Sequence, residues 1–192
     1  MRRFPIQTAH IGLAFLTVAT ACGAGLETPT EVRQFARPGI LTERDPNPVV
    51  ESVTGHWEVI GVNGNTNKLS VNALKRLDGS VSGTLEYERV SPDGGWLLRA
   101  HGDVICVTVN GNTARVAIVG EEVDNTGTTT SGYGYVTAVD NGEGENDPPD
   151  RGSSLFGTSS EGLARRHCDV PIIPDARIFP NQRGNIQVRS GT

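Results

Sequence analysis

Residues 101–120 read HGDVICVTVNGNTARVAIVG, and this stretch decides the fold class. Its first arm alternates as a strand does, with Val104, Cys106 and Thr108 on one face and Ile105, Val107 and Val109 on the other. Both faces are mostly apolar, which places the arm inside a sheet rather than at its edge. Asn110-Gly111 tolerates the positive φ angles of a tight hairpin turn, and residues 114–119 return antiparallel. Cys106, in the middle of the first arm, needs a partner.

The same signature recurs on both flanks. Upstream, residues 56–61 alternate, Asn63-Gly64-Asn65 supplies a turn, and residues 68–77 set Leu69, Val71, Ala73 and Lys75 on one face. Asp78-Gly79 turns the chain, and residues 81–87 point Val81, Gly83, Leu85 and Tyr87 inward. Pro92-Asp93-Gly94-Gly95 turns it again, and residues 96–100 lead into the hairpin. Downstream, residues 121–131 read as a polar loop and 132–139 as a strand with Tyr133 and Tyr135 on one face. An acidic loop follows at 140–150, a short strand at 151–156 and a mobile segment at 157–166. Cys168 opens a proline-punctuated return, and residues 184–188 form a closing strand. Eight to nine short strands joined by Gly-rich turns predict an all-β domain, an antiparallel sandwich or a small barrel. Val62-Asn63-Gly64-Asn65-Thr66 recurs as Val109-Asn110-Gly111-Asn112-Thr113, which reads as one hairpin turn used twice.

The composition agrees with this reading. The chain has 192 residues, 24 of them Gly, with 5% aromatic and 20% charged residues, a balance that suits a turn-rich β-protein. Its net charge of −5 argues against a nucleic-acid partner, because counterion release from phosphates needs a basic surface. Residues 1–21 read as an export signal: Arg2 and Arg3, an apolar run over residues 11–21 that is too short to span a bilayer, and Ala19-Thr20-Ala21 for cleavage. Its removal takes two arginines and no acids from the 17 basic and 22 acidic residues, leaving 15 − 22 = −7. Residues 22–53 are polar and broken by Pro29, Pro38, Pro46 and Pro48, a tether in which residues 31–36 offer one short helix as the alternative. The β-domain is expected over residues 54–192.

Ala19-Thr20-Ala21-Cys22 resembles the bacterial lipobox, whose cysteine is acylated and becomes the first residue of the mature chain; ordinary secretory cleavage at the same bond is the alternative. Acylation of Cys22 resolves an odd count of three cysteines, since Cys106 and Cys168 are then left to pair in an oxidising compartment. Such a bridge stabilises the fold by roughly 4 kcal/mol in the chain-entropy model.

A series of motifs runs from Gly79-Ser80-Val81-Ser82-Gly83 through Gly102-Asp103-Val104-Ile105-Cys106 and Val109-Asn110-Gly111-Asn112-Thr113-Ala114. It continues with Val139-Asp140-Asn141-Gly142-Glu143-Gly144, Pro148-Pro149-Asp150-Arg151 and Gly184-Asn185-Ile186-Gln187-Val188. Taken in order, these resemble a family of uncharacterised bacterial secreted and lipoprotein domains over residues 54–190. The resemblance implies an all-β extracytoplasmic domain whose second cysteine precedes the closing strand; it implies no activity.

The candidate cation site is the acidic loop, with Asp140, Glu143, Glu145, Asp147 and Asp150, because calcium takes six to eight oxygen ligands. The alternative is a solvated turn. Glu86 and Glu88 share a strand face, whereas glycosidase carboxylates oppose each other across a cleft. His56, His101 and His167 lie on separate elements without ligand spacing and read as surface or turn residues. No Gly-x-Ser-x-Gly elbow is present. These features predict a lipid-anchored module of the bacterial cell envelope that binds or supports a partner (carbohydrate, protein or small molecule), with calcium as the possible cofactor. The alternatives are a polysaccharide hydrolase assembled from fold-distant carboxylates and a barrel that carries a small apolar ligand.

Overall fold

The computed structural model describes residues 45–144 and 146–191. The expected signal segment, Cys22, the short helix at 31–36 and most of the tether lie outside the described residues, as does Glu145. Ten strands form one antiparallel sheet that curls into a half-barrel rather than splitting into two stacked layers. They are β1 Val49–Ile60, β2 Thr66–Arg76, β3 Val81–Val90, β4 Trp96–Asn110, β5 Thr113–Asp124, β6 Thr129–Val139, β7 Arg151–Ser153, β8 Phe156–Thr158, β9 Ile178–Pro180 and β10 Arg183–Ser190. The strand order is β10-β1-β2-β3-β4-β5-β6-β7-β9, with β8 also paired to β6. Strand β1 starts five residues before the expected domain boundary at Thr54.

Alternation explains which side of each strand is buried. Val53, Trp57 and Val59 of β1, Leu69, Val71 and Ala73 of β2, and Leu85 and Tyr87 of β3 point into the curl. Ala114, Val116 and Ile118 of β5, Val136 and Ala138 of β6, and Ile186 of β10 complete the core. Trp57 fills the centre and donates from Nε1 to the Ser153 carbonyl at 3.1 Å. Only glycine fits opposite it at position 152, where a Cβ would overlap the indole.

The β4–β5 hairpin forms as its sequence predicts, with two differences. Asn110 pairs with Thr113, so the two-residue turn is Gly111-Asn112, and the positive φ of 60° falls on Gly111, the pattern of a type II′ turn. The turn between β1 and β2 is instead a five-residue loop in which Gly64 has φ 77°, so the repeated Asn-Gly-Asn serves two different turns. The register also slips between Val104 and Cys106, which makes Ile105 the extra residue of a β-bulge. Strict alternation would put Val104 and Cys106 on one face. The bulge keeps Val104 in the core with Val107, and turns Cys106 outward.

Two further expectations are corrected. Residues 121–131 are mostly strand, because β5 runs to Asp124 and β6 starts at Thr129. Their polar ends project past the core and are held by register pairs such as His101↔Glu121 and Glu121↔Ser131. Residues 157–166 are not a mobile segment, for they hold the last two residues of β8 and the first six of helix α1, Glu161–Asp169. Ser160 caps α1 by accepting from the Leu163 N–H, and Glu161 pairs with Arg165 one turn on at 2.7 Å.

Helix α1 packs on the outer face of β4, β5 and β6. There Ala164 and Cys168 meet Ala117, with Ile105, Tyr133 and Tyr135 around them. The bulge prepares this contact: Arg165 donates to the Ile105 carbonyl at 2.7 Å, and Cys106 forms the disulfide to Cys168 across a Cα–Cα distance of 6.4 Å. Arg115 donates to the Cys168 carbonyl at 2.9 Å and so caps the helix C-terminus.

Candidate functional site

The sheet register lines up outward-facing, mostly polar residues in two rows across the strands. One row is Asn185, His56, Ser70, Glu86, His101, Glu121 and Ser131; the other is Arg183, Glu58, Lys68, Glu88, Arg99, Val123 and Thr129. Between β10 and β5 these rows line an open groove of about 700 Å³. It crosses five inter-strand spacings, about 24 Å. Lys68, Arg99 and Arg183 balance Glu58, Glu86, Glu88 and Glu121 along it.

Within the groove Glu88 is the central acceptor. It pairs with Arg99 at 2.8 Å and Lys68 at 3.1 Å. Hydrogen bonds from Arg99, then from Lys68, hold its carboxyl below the usual carboxylate range. His101 Nδ1 stands 4.0 Å from Glu86. A second register slip in β4, opposite Arg89 and Val90, makes Leu97 the extra residue and turns Trp96 to the outer face, where the Arg99 guanidinium lies 5.1 Å from its ring. The rim of a polar groove thus carries one exposed aromatic.

The acidic loop has a different task. Strand β10 pairs with β1 on one side only, and its other edge presents N–H groups at alternate residues. Asp150 Oδ2 accepts from the Ile186 N–H at 2.8 Å, and Asp140 Oδ2 accepts from the Val188 N–H at 2.9 Å. The remaining oxygens of the pair hold the loop, Asp150 Oδ1 accepting from Asn141 N–H and Asp140 Oδ1 from Gly142 N–H, both at 2.9 Å. Glu143 accepts from the Asn185 and Gln187 side chains, which keep its carboxyl below the usual range. Asp147 turns back onto the Gly144 N–H at 2.8 Å. Glu145 lies outside the described residues; Asp140, Glu143, Asp147 and Asp150 are each tied to separate partners, and among the described residues no group of three His, Cys, Asp or Glu is placed to hold a metal ion. Two carboxylates occupy the positions that a neighbouring strand's carbonyls would take.

His56 and His101 are exposed in the outer row, as expected, but His167 is not a surface residue. It is fully buried beneath α1, with its ring centroid 5.0 Å from that of Tyr135. Its Nδ1 accepts from the Ile172 N–H at 3.4 Å, and Nε2 lies 3.0 Å from the Val136 carbonyl, which can only accept. These partners select the neutral tautomer with the proton on Nε2. Burial pushes the pKa down to about 4. A sequence signal for the helix was present in Ser160 before Glu161, and in the i, i+3, i+4 spacing of Ala164, His167 and Cys168; a polar residue in the stripe concealed it.

Glu86 and Glu88 lie side by side on an open face, and β10, to which the acidic loop is tied, stands three strand spacings from β3, about 14 Å. The barrel interior is filled by Trp57, Leu85, Ile186, Val116 and Val136. Among the described residues no helix is long and apolar enough to cross a membrane. No protein-family model, curated protein or solved structure matches this chain.

Proposed function

We propose that this protein is a binding module of the cell envelope, held by acylated Cys22, and that the outer-face groove takes a polar, hydroxyl-rich chain such as a polysaccharide. The observation that carries this reading is the alignment of donors and acceptors over six adjacent strands, with Trp96 at the rim. Near balance of charge within the groove favours a neutral ligand over a polyanion or polycation. The Cys106–Cys168 bridge and the export signal support an oxidising, extracytoplasmic location. Binding is favoured over hydrolysis because the carboxylates are either tied to backbone N–H groups or stand beside each other on one open surface, not across a cleft.

The test is co-sedimentation of the full chain with insoluble cell-wall and environmental polysaccharides, repeated with Glu86→Gln, Arg99→Ala and Trp96→Ala. Retention on at least one polymer, weakened by Arg99→Ala and Trp96→Ala, supports the module. Release of new reducing ends, abolished by Glu86→Gln, would establish the hydrolase instead. Mass spectrometry of the native N-terminus tests the anchor, and an unmodified Cys22 would refute it.

A further inference from the structure

The inner face of the sheet carries a second feature, unrelated to the outer groove. At the end of the barrel where β2 begins and β3 ends, polar side chains enter the apolar lining: Val59, Asn67, Arg89, Leu98 and Asp124 stand in one register row. A cleft of about 310 Å³ opens there between these strands, the β7–β8 connection and β9. Leu155 and Phe179 form its apolar wall, Asn63 and Asn67 contribute amides, and Arg89 and Arg177 stand at its border.

The charges in this cleft are one-sided. No acidic residue lines it, and among the described residues neither Arg89 nor Arg177 has a carboxylate within 4.0 Å. Arg89 is half-buried and aimed by its neighbours. Its Nε donates to the Tyr87 hydroxyl at 2.9 Å, and that hydroxyl donates to Asn67 Oδ1 at 2.6 Å. Asn67 is itself fixed by donating to the Val59 and Asn65 carbonyls. This chain of hydrogen bonds uses one edge of the guanidinium, and the terminal nitrogens keep their donor capacity. A charged group is costly on the inner face of a sheet and is found there when it has a partner to meet. In a chain of net charge −5, two guanidinium groups border one cleft whose lining holds no acid; Glu122, on the same face of the sheet, is near enough to act on the Tyr87 hydroxyl but does not line the cleft.

We propose that this cleft binds a small oxyanion, a carboxylate or phosphate borne on an apolar body, with Arg89 and Arg177 holding the head and Leu155 and Phe179 covering the body. Guanidinium groups suit such heads because their planar donors match two oxygens at once. The site lies on the opposite face of the sheet from the polysaccharide groove, so loss of either leaves the other measurable.

The test is titration of the purified full chain with inorganic phosphate, acetate and octanoate at constant ionic strength, followed by calorimetry and by the amide resonances of residues 61–67, 89 and 154–157. The expected result is saturable binding of at least one anion, weakened about tenfold or more in Arg177→Gln, as loss of a charge-assisted contact requires. Arg177 is exposed and holds its turn through its backbone N–H, while its side chain makes no hydrogen bond or ion pair among the described residues, so this variant reads binding alone; Arg89→Lys, which keeps charge but not the paired donors, is expected to weaken binding as well. Octanoate exceeding acetate assigns the apolar wall to the site, whereas phosphate alone assigns a free or headgroup phosphate. Absence of saturable binding to all three anions, or binding unchanged in Arg177→Gln, overturns the proposal.

Discussion

Substituting Asp150 by Ala removes the more deeply buried of the two aspartates that cover the free edge of β10, the seam between the acidic loop and the sheet. Asp150 is 7% exposed and accepts two backbone N–H groups, one from Asn141 within the loop and one from Ile186, which is fully buried in β10. Removing a charged acceptor leaves each donor unsatisfied at a cost of about 1.5–3 kcal/mol, so with two donors the expected loss is roughly 3–6 kcal/mol. That is a large fraction of a typical stability of about 5–15 kcal/mol. Asp150→Asn should cost nearly as much despite its matching shape, because its amide NH2 must face one of two N–H donors. The assay is urea denaturation, together with hydrogen exchange at the Ile186 amide, which is expected to be protected in the parent protein and fast in both variants. The same carboxylates are the predicted calcium ligands, and the two roles compete. With the oxygens of Asp140 and Asp150 occupied by N–H groups, melting in calcium and in chelator should coincide, whereas a cation at a hundred times its Kd would add about 2.7 kcal/mol. An Asp150→Ala cost below about 1 kcal/mol, or a melting temperature that rises with calcium, would refute the seam argument.

Four other perturbations test separate parts of the fold. His167 has a folded pKa of about 4 against an ordinary 6.5, so its neutral form contributes fully above pH 6.5 and that contribution is lost as pH falls through about 4. The loss is at most about 3 kcal/mol, and His167→Gln should flatten stability over that window in denaturation curves taken at several pH values. Glu143, whose carboxyl is held low by Asn185 and Gln187, adds a further acid-side loss below the ordinary carboxylate range, which Glu143→Gln should remove. Gly152→Ala should drive Trp57 from its site at a cost of about 1–3 kcal/mol or more, with a shift in tryptophan fluorescence; an unshifted spectrum at full stability would contradict the packing. Removing the disulfide as Cys106→Ala with Cys168→Ala, across a separation of 62 residues, should cost about 4 kcal/mol and release α1 before the sheet in exchange experiments.

Residue alternation made the strands legible because one face of each is buried: Leu69, Val71 and Ala73, or Leu85 and Tyr87, can be read inward from their order alone. It failed where burial does not decide. At Glu121 and Glu122 the strand continues beyond the core, and pairing with His101 and Ala100 holds it whatever the side chains prefer. It failed again at Ile105, since a bulge adds one residue without altering composition, yet that residue settles which way Cys106 points. Cysteine counting found the bridge but not the helix at its far end. The clustering of Asp140, Glu143 and Asp150 was plain in the sequence; their partners, Ile186 and Val188, were not, because they lie 36 and 48 residues further along.

The two ends of the half-barrel differ in chemistry, and the strand directions say why. Chain entry at Pro48, the Leu77–Pro48 hydrogen bond, the Gly111-Asn112 turn and the acidic loop share one pole. There the carboxylates close an edge that would otherwise template pairing with another chain. The loops at Gly61–Asn65 and Ser91–Gly95, exposed Trp96, the Arg89–Arg177 cleft and the distal half of the outer groove lie toward the opposite pole. Acidic residues that look like a binding site therefore do structural work at the pole where β1 begins, and the balanced and basic surfaces lie toward the other.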